Sequence, residues 1–256
     1  MFKPITEVHK AKFNSDASCK FLAAYEDFAT KKILEEETRQ PSMTFAPSSI
    51  RCKRISWFRL RGVEPEQEVD VDRSFNFTAK IGTACHRIIQ EQLAEQLGED
   101  WLDVEEYLNS MERPYKYTCT KSGPETNVEI EEPAIKFSPD GLLRFKDKIY
   151  LLEIKTSEYG SFNELEAPKS HHIDQIKCYA TLLNVKDVLV LYQDRQYGGM
   201  KCYELHISAG DMQMVWDMFK EVQDCVKNNI PPARLPRGDK WCSPSRCRYF
   251  NKCKEW

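Results

Sequence analysis

No stretch of this 256-residue sequence stays apolar for the about 20 residues that a membrane-spanning helix needs. Nor does a hydrophobic leader follow Met1-Phe2-Lys3-Pro4, so the expectation is a protein with no membrane partner. Its expected place is the cytoplasm, or a host's cytoplasm if the source is viral. The chain also lacks an excess of positive charge. Its 37 Lys and Arg face 40 Asp and Glu, a net charge of -3, which argues against a protein that coats polyanions nonspecifically and leaves only local patches for such contacts. Internal repeats and low-complexity tracts are missing too, which excludes solenoid and fibrous architectures. The apolar share, 41%, excludes a disordered chain and is enough for a sizeable core. This length suits one α/β domain with decorations, or two small domains.

Cysteine, by contrast, is plentiful. Ten cysteines without a secretory leader are expected to be reduced thiols or metal ligands rather than disulfides. Three fall in the tail from Lys227 to Trp256, as Cys242-x4-Cys247-x5-Cys253, among eight Lys or Arg and only two acids. This tail has adjacent prolines and no apolar periodicity, so burial alone does not fold it and it needs a staple. Three thiolates are one short of the usual four for zinc or an iron–sulfur cluster. Cys52, after a loop in a basic stretch, is the best candidate for the fourth. Cys19, Cys119 and Cys202 stay open, whereas Cys85, Cys178 and Cys225 fall in helical segments and read as small packed hydrophobes.

Periodicity predicts a helix over 15–39, a Pro- and Ser-rich loop over 40–49, and a helix from Ile50 to Arg61 capped by Ser48 or Ser49. That second helix carries five basic residues, no acid, and Trp57 and Phe58, the makings of a nucleic-acid backbone surface. An acidic stretch from Glu64 to Asp72 reads as solvated loop. A third helix over 78–97 has Thr78 as its cap. Its small residues Gly82, Thr83 and Ala84 permit close approach to a sheet, with His86 just beyond. A short helix follows over 101–112, then an irregular or hairpin region to Glu132 and a strand at Ala134–Phe137. After Lys155 a polar segment to Ser170 reads as a mobile loop. His171 to Leu183 reads as a helix with Gln175 and Tyr179 on one face. Strands at 188–192 and 201–207 and an amphipathic helix over 211–228 complete the pattern.

The stretch with the most chemistry is Pro139 to Lys155. Leu142–Phe145 and Ile149–Lys155 read as two strands joined by a polar turn, a hairpin that returns Asp140 to Glu153. Two carboxylates held together repel, and oxygen ligands of this kind suit Mg²⁺ or Mn²⁺. Lys155 lies on the same strand face as Glu153, placed to orient a water or stabilise developing charge. An ordinary charged surface hairpin is the competing reading.

Taken together these pieces resemble the PD-(D/E)XK nuclease superfamily, and within it the RecB-like branch whose members include iron–sulfur nucleases of the AddB and CRISPR-adaptation exonuclease types. The resemblance runs over roughly residues 47 to 256. Pro47-Ser48-Ser49-Ile50-Arg51-Cys52 is similar to the lead-in to that branch's first cluster cysteine. Gly82-Thr83-Ala84-Cys85-His86 matches its G-x-x-x-H motif, and Pro139-Asp140 with Glu153-Ile154-Lys155 the motif that names the superfamily. Gln175 to Tyr179 matches Q-x-x-x-Y, and Cys242, Cys247 and Cys253 stand where the other cluster ligands do. Cys242 and Cys247 are more widely spaced than in related nucleases, and a Cys₄ zinc site remains open.

The resemblance implies a restriction-endonuclease-like α/β fold, a mixed central sheet flanked by helices, with a cysteine-stapled C-terminal segment. The implied layout is an N-terminal helical extension over 1–46, a nuclease core over 47–229 and the cysteine-rich tail over 230–256. It implies one or two Mg²⁺ or Mn²⁺ ions held by His86, Asp140, Glu153 and the Ile154 carbonyl. Lys155 would serve the nucleophile, with Gln175 and Tyr179 supporting. A 4Fe-4S cluster would sit on Cys52, Cys242, Cys247 and Cys253. The implied activity is a metal-dependent DNA exonuclease acting on single strands or duplex ends in recombination, repair or replication. No helicase motif is present, so unwinding would fall to a helicase, recombinase or single-strand-binding partner. The alternative is an inactive nuclease-fold scaffold that binds DNA.

Overall fold

The computed structural model describes residues 16–37, 43–66, 73–236, 238–239, 241–244 and 246–255. Glu68, Asp70 and Asp72 of the acidic stretch lie outside the described residues. The chain divides into two compact units, one of residues 1–40 and 69–79, the other of 41–68 and 80–256. The first contains helix α1 (Asp16–Glu37), with the ion pairs Lys20–Asp16 at 2.9 Å and Lys32–Glu35 at 2.8 Å along its own surface.

The larger unit holds α2 (Lys53–Leu60), most of α3 (Arg73–Leu97), β1 (Trp101–Leu102), α4 (Val104–Asn109), β2 (Tyr117–Ser122), β3 (Glu125–Ile130) and β4 (Ile135–Phe137). There follow β5 (Gly141–Phe145), β6 (Lys148–Ser157), α5 (Tyr159–Asn163), α6 (Ser170–Leu183), β7 (Asp187–Asp194), β8 (Met200–His206), α7 (Ala209–Lys227) and α8 (Lys252–Glu255). The central sheet is mixed, in the order β1-β5-β6-β7-β8, with β6 and β7 parallel and every other pair antiparallel. A three-stranded antiparallel sheet, β2-β3-β4, stands beside it.

The alternation of β-strand side chains sorts the central sheet into two apolar faces. Leu142, Leu151, Val188, Val190 and Tyr192 share one buried cluster with Ile176, Ala180 and Leu183 of α6 and Phe219 and Val222 of α7. Leu143, Leu152, Ile154, Leu189 and Leu191 meet Ile89, Leu93 and Leu97 of α3 on the other face. At roughly 1.5–3 kcal/mol for each large apolar side chain withdrawn from water, these two layers hold the sheet between its helices. Among the described residues no helix is long and apolar enough to cross a membrane.

Four expectations change. The basic helix does not offer its aromatic face to a ligand: Trp57 and Phe58 are 0% and 1% exposed, packed in the main core. Its cations bind the chain itself. Lys53 Nζ lies 2.5 Å from Glu221, Arg61 donates to Asn229, Arg54 donates to the carbonyls of Pro232 and Cys253, and Arg59 to that of Thr44. This helix begins at Lys53 with Cys52 as its uncapped N-cap, so neither Ser48 nor Ser49 caps it. In α3 nothing between Arg73 and Thr78 breaks a helix, and Thr78 lies inside it. The segment after β6 is ordered rather than mobile. Phe162 and Leu165 are buried, and Lys201 Nζ donates to the carbonyls of Phe162, Asn163 and Leu165 at 2.8–3.1 Å, satisfying the C-terminal end of α5.

Candidate metal centre

Lys146 and Asp147 both take positive φ (48° and 63°), the two-residue turn that matches strand twist and joins β5 to β6. The resulting register pairs Gly141 with Leu152 and so sets Asp140 level with Glu153. Asp140 Oδ2 accepts the Ile154 N–H at 2.7 Å, and Asp140 Oδ1 lies 3.0 Å from His86 Nδ1. His86 arrives from the opposite face because α3 lies close to β6 at Gly82, where a Cβ would stand 3.3 Å from Thr156 Oγ1. The small residue expected to permit such an approach does so.

Glu153 is 1% exposed. Its Oε1 lies 2.5 Å from Lys155 Nζ, while Oε2 is buried without a hydrogen-bond partner among the described residues. Burial first, and the Asp140 charge second, push its carboxyl up to about 7 against the pull of Lys155. Lys155 Nζ donates to Gln175 Oε1 at 3.1 Å, and Gln175 Nε2 donates to the Tyr179 hydroxyl at 3.0 Å. Burial holds the Tyr179 phenol far above its ordinary range. Asp140, Glu153, Lys155, His86, Gln175 and Tyr179 therefore form one connected set, built from α3, the β5–β6 hairpin and α6.

Two carboxylates and an imidazole, beside the strand backbone at Ile154, make the oxygen-rich donor set that Mg²⁺ and Mn²⁺ take. The orphaned, buried Glu153 Oε2 is an acceptor that such an ion would satisfy. Among the described residues, no three His, Cys, Asp or Glu side chains are gathered closely enough to hold a metal ion as they stand. Here His86 and Lys155 engage the two carboxylates instead.

A second cluster forms in the tail. Cys52, Cys242, Cys247 and Cys253 line one small enclosed pocket, together with Arg54, which donates to Cys253 Sγ at 3.5 Å. Burial raises the thiols of Cys52 and Cys247, and the neighbouring cysteines add to it. Phe58 stacks on Tyr249 at 5.0 Å and closes the pocket against α2. Of the alternatives for a fourth ligand, Cys19 and Cys202 are exposed on α1 and β8 and Cys119 lies on β2. Cys178 is fully buried in α6. Four thiols are the donor type and number that zinc or an iron–sulfur cluster takes, although as they stand these four line the pocket without being gathered closely enough to hold a metal ion.

Two neighbours of the centre escaped the sequence reading. Gln90, one turn after His86, donates to the Asp140 carbonyl at 2.7 Å; its i+4 spacing from His86 was a usable signal. His172 Nδ1 lies 2.6 Å from the Tyr192 hydroxyl, which also accepts the Lys169 N–H. Burial, then the positive charge of Lys155, pulls His172 down to about 3. Nothing in the local sequence marks that pairing across α6 and β7.

No protein-family model matches the sequence, and no curated protein does. Among solved structures, the crystal structure of SSO0001 is similar to 90% of this chain and 96% of its own, at 17% identity and a TM-score of 0.50. An alkaline exonuclease, LHK-Exo from Laribacter hongkongensis, is matched over 76% of this chain and 93% of its own at 13% identity, with a TM-score of 0.45. Its complex with dAMP gives 12% identity and 0.47 over the same shares. The likeness to SSO0001 is one of fold: a mixed central sheet flanked by helices, spanning nearly the whole of both chains.

Proposed function

We propose that this protein is a Mg²⁺- or Mn²⁺-dependent nuclease that hydrolyses DNA phosphodiester bonds, acting as an exonuclease on single strands or duplex ends in recombination, repair or replication. The observation that carries this reading is the Asp140–Glu153–Lys155 arrangement, with its buried orphan carboxylate oxygen and with His86 closing on Asp140. The ordered motifs that resemble the PD-(D/E)XK superfamily support the same roles. Asp140, Glu153, His86 and the Ile154 carbonyl would hold the ion. When bound there, a divalent ion lowers the pKa of a water and neutralises charge at a phosphate. Lys155 supplies the ammonium that positions the attacking water or stabilises the charge that develops on the phosphate. Gln175 and Tyr179 hold that ammonium in line. The four tail cysteines hold a 4Fe-4S cluster, with zinc as the other occupant their number allows, and so tie the tail to α2. A helicase, recombinase or single-strand-binding protein would supply any unwinding.

The test is purified protein with Mg²⁺ or Mn²⁺ and end-labelled single strands, blunt and recessed duplexes, and closed circles, beside Asp140→Ala and Lys155→Ala. Digestion from ends by wild type alone is expected. No digestion of any form, or equal digestion by the variants, would remove the catalytic assignment.

A further inference from the structure

We infer that Gln90 is a positioning residue of the metal centre, fixing the Asp140 peptide and through it the direction of the Asp140 carboxylate. The inference rests on the metal-dependent reading proposed above. Gln90 and His86 are four residues apart on α3, so their side chains leave the same helix face. Both reach Asp140 but at different atoms: His86 at Oδ1 of the side chain, Gln90 Nε2 at the backbone carbonyl. The next residue of the same peptide is also packed, from the α3 face of the sheet. A Cβ on Gly141 would lie 2.4 Å from Cη2 of Trp101, so the indole ring presses directly on this backbone. The Asp140–Gly141 peptide is thereby held by an amide hydrogen bond and packed by an aromatic ring where β5 begins. With the Ile154 N–H on Oδ2, neither the peptide plane nor the carboxylate is free to rotate.

Gln90 is also an unusual residue for its place. It is 0% exposed, and its Oε1 is buried without a hydrogen-bond partner among the described residues. A methionine of similar length would fill this space without the unpartnered Oε1, and would take from the Asp140 carbonyl the donor that Gln90 supplies. Packing alone therefore does not call for glutamine; the hydrogen bond to Asp140 does. Groups that orient a metal ligand from behind are commonly worth about 10–100-fold in metal affinity.

Calorimetric titration of Mn²⁺ into wild type, Gln90→Met, Gln90→Leu and Asp140→Ala tests this, alongside the melting temperature of each protein before the titration. Asp140→Ala defines the background from other sites. The expected result is that both Gln90 variants melt at or near the wild-type temperature and bind Mn²⁺ about 10–100-fold more weakly. Wild-type affinity in either folded Gln90 variant overturns the inference and leaves the metal reading standing. Loss of folding in both variants marks Gln90 as a packing residue and also overturns it. Binding by wild type no stronger than by Asp140→Ala would remove the metal reading itself, and the inference with it.

Discussion

Lys155 Nζ lies 2.5 Å from Glu153 Oε1, two residues away on the same face of β6, and Glu153 is 1% exposed. A carboxylate so enclosed depends on that ammonium, because burial and Asp140 both drive its carboxyl upward. Lys155→Met should therefore destabilise the protein as well as end turnover. The expected loss is roughly 2–4 kcal/mol, toward the lower side of the ~3–5 kcal/mol for breaking a fully enclosed pair, since Lys155 keeps some contact with solvent. Adding Glu153→Gln to the Lys155→Met chain removes the uncompensated charge and should recover most of that stability without recovering activity. Urea unfolding of the two single variants and the double variant near pH 8 reads this directly.

Gln175 accepts from Lys155 and donates to Tyr179, so the Q-x-x-x-Y pair faces the lysine. If its task is to hold the ammonium, its loss should lower kcat and leave KM for DNA unchanged. Gln175→Ala removes a hydrogen bond to a charged group and is expected to lower kcat about 10–100-fold. Tyr179→Phe removes only a neutral bond one step further away, with an expected loss of about 2–10-fold. Steady-state kinetics on one labelled strand separates the cases: a rise in KM with kcat intact would place the pair on the DNA instead.

Much of this centre was legible because its parts are local. The hairpin follows from two apolar runs around Lys146-Asp147, and the strand period alone sets Glu153 and Lys155 on one face. The spacing of Gln175 and Tyr179 likewise needs only the helix period. What the sequence did not disclose are relations between elements distant in the chain. The basic helix looked like a nucleic-acid surface because charge is visible in sequence, whereas its partners Glu221, Asn229 and the Pro232 carbonyl lie over a hundred residues away. The ordered α5 segment was missed for the same reason: Lys201, from another strand, satisfies its carbonyls. Gln90 was within reach of helical spacing, but its partner is a backbone oxygen, which leaves no mark on composition.

His172 supplies a pH dependence with a definite sign. Its imidazole is held neutral in the fold, at about 3, by burial and by Lys155, against about 6.5 in an unfolded chain. Between these values the unfolded chain binds a proton that the folded chain refuses, so stability falls as pH drops through about 6.5 and levels off near 3. The slope has a ceiling of about 1.4 kcal/mol per pH unit and should fall short of it because the ring is only partly enclosed. His172→Gln should flatten this part of the profile. Urea unfolding of both proteins at pH 7.5, 6 and 5 gives the comparison; parallel profiles would show that His172 does not carry the effect.

The tail offers a further structural prediction, because its cysteines share one pocket with α2 while Glu66 and Arg54 hold it by hydrogen bonds. Cys242, Cys247 and Cys253 lie in a run of turns with one short helix, and share their pocket with Cys52 at the start of α2. Arg54 secures the same junction through the Pro232 and Cys253 carbonyls. If the four thiolates hold a cluster, anaerobically prepared protein should contain iron and acid-labile sulfide in equal amounts; stoichiometric zinc without sulfide would replace the cluster with a Cys₄ zinc site. Cys247→Ala should lose the metal and expose the basic tail to trypsin, which cuts after its Lys and Arg. Cys225→Ala, whose thiol does not line the pocket, should do neither. Mn²⁺ affinity should change little in Cys247→Ala, because Asp140 and Glu153 are carried by the β5–β6 hairpin and His86 by α3. A tail that stays intact in trypsin after metal loss would mean that Arg54 and the Phe58–Tyr249 stack hold it, and that the cysteines serve something other than a staple.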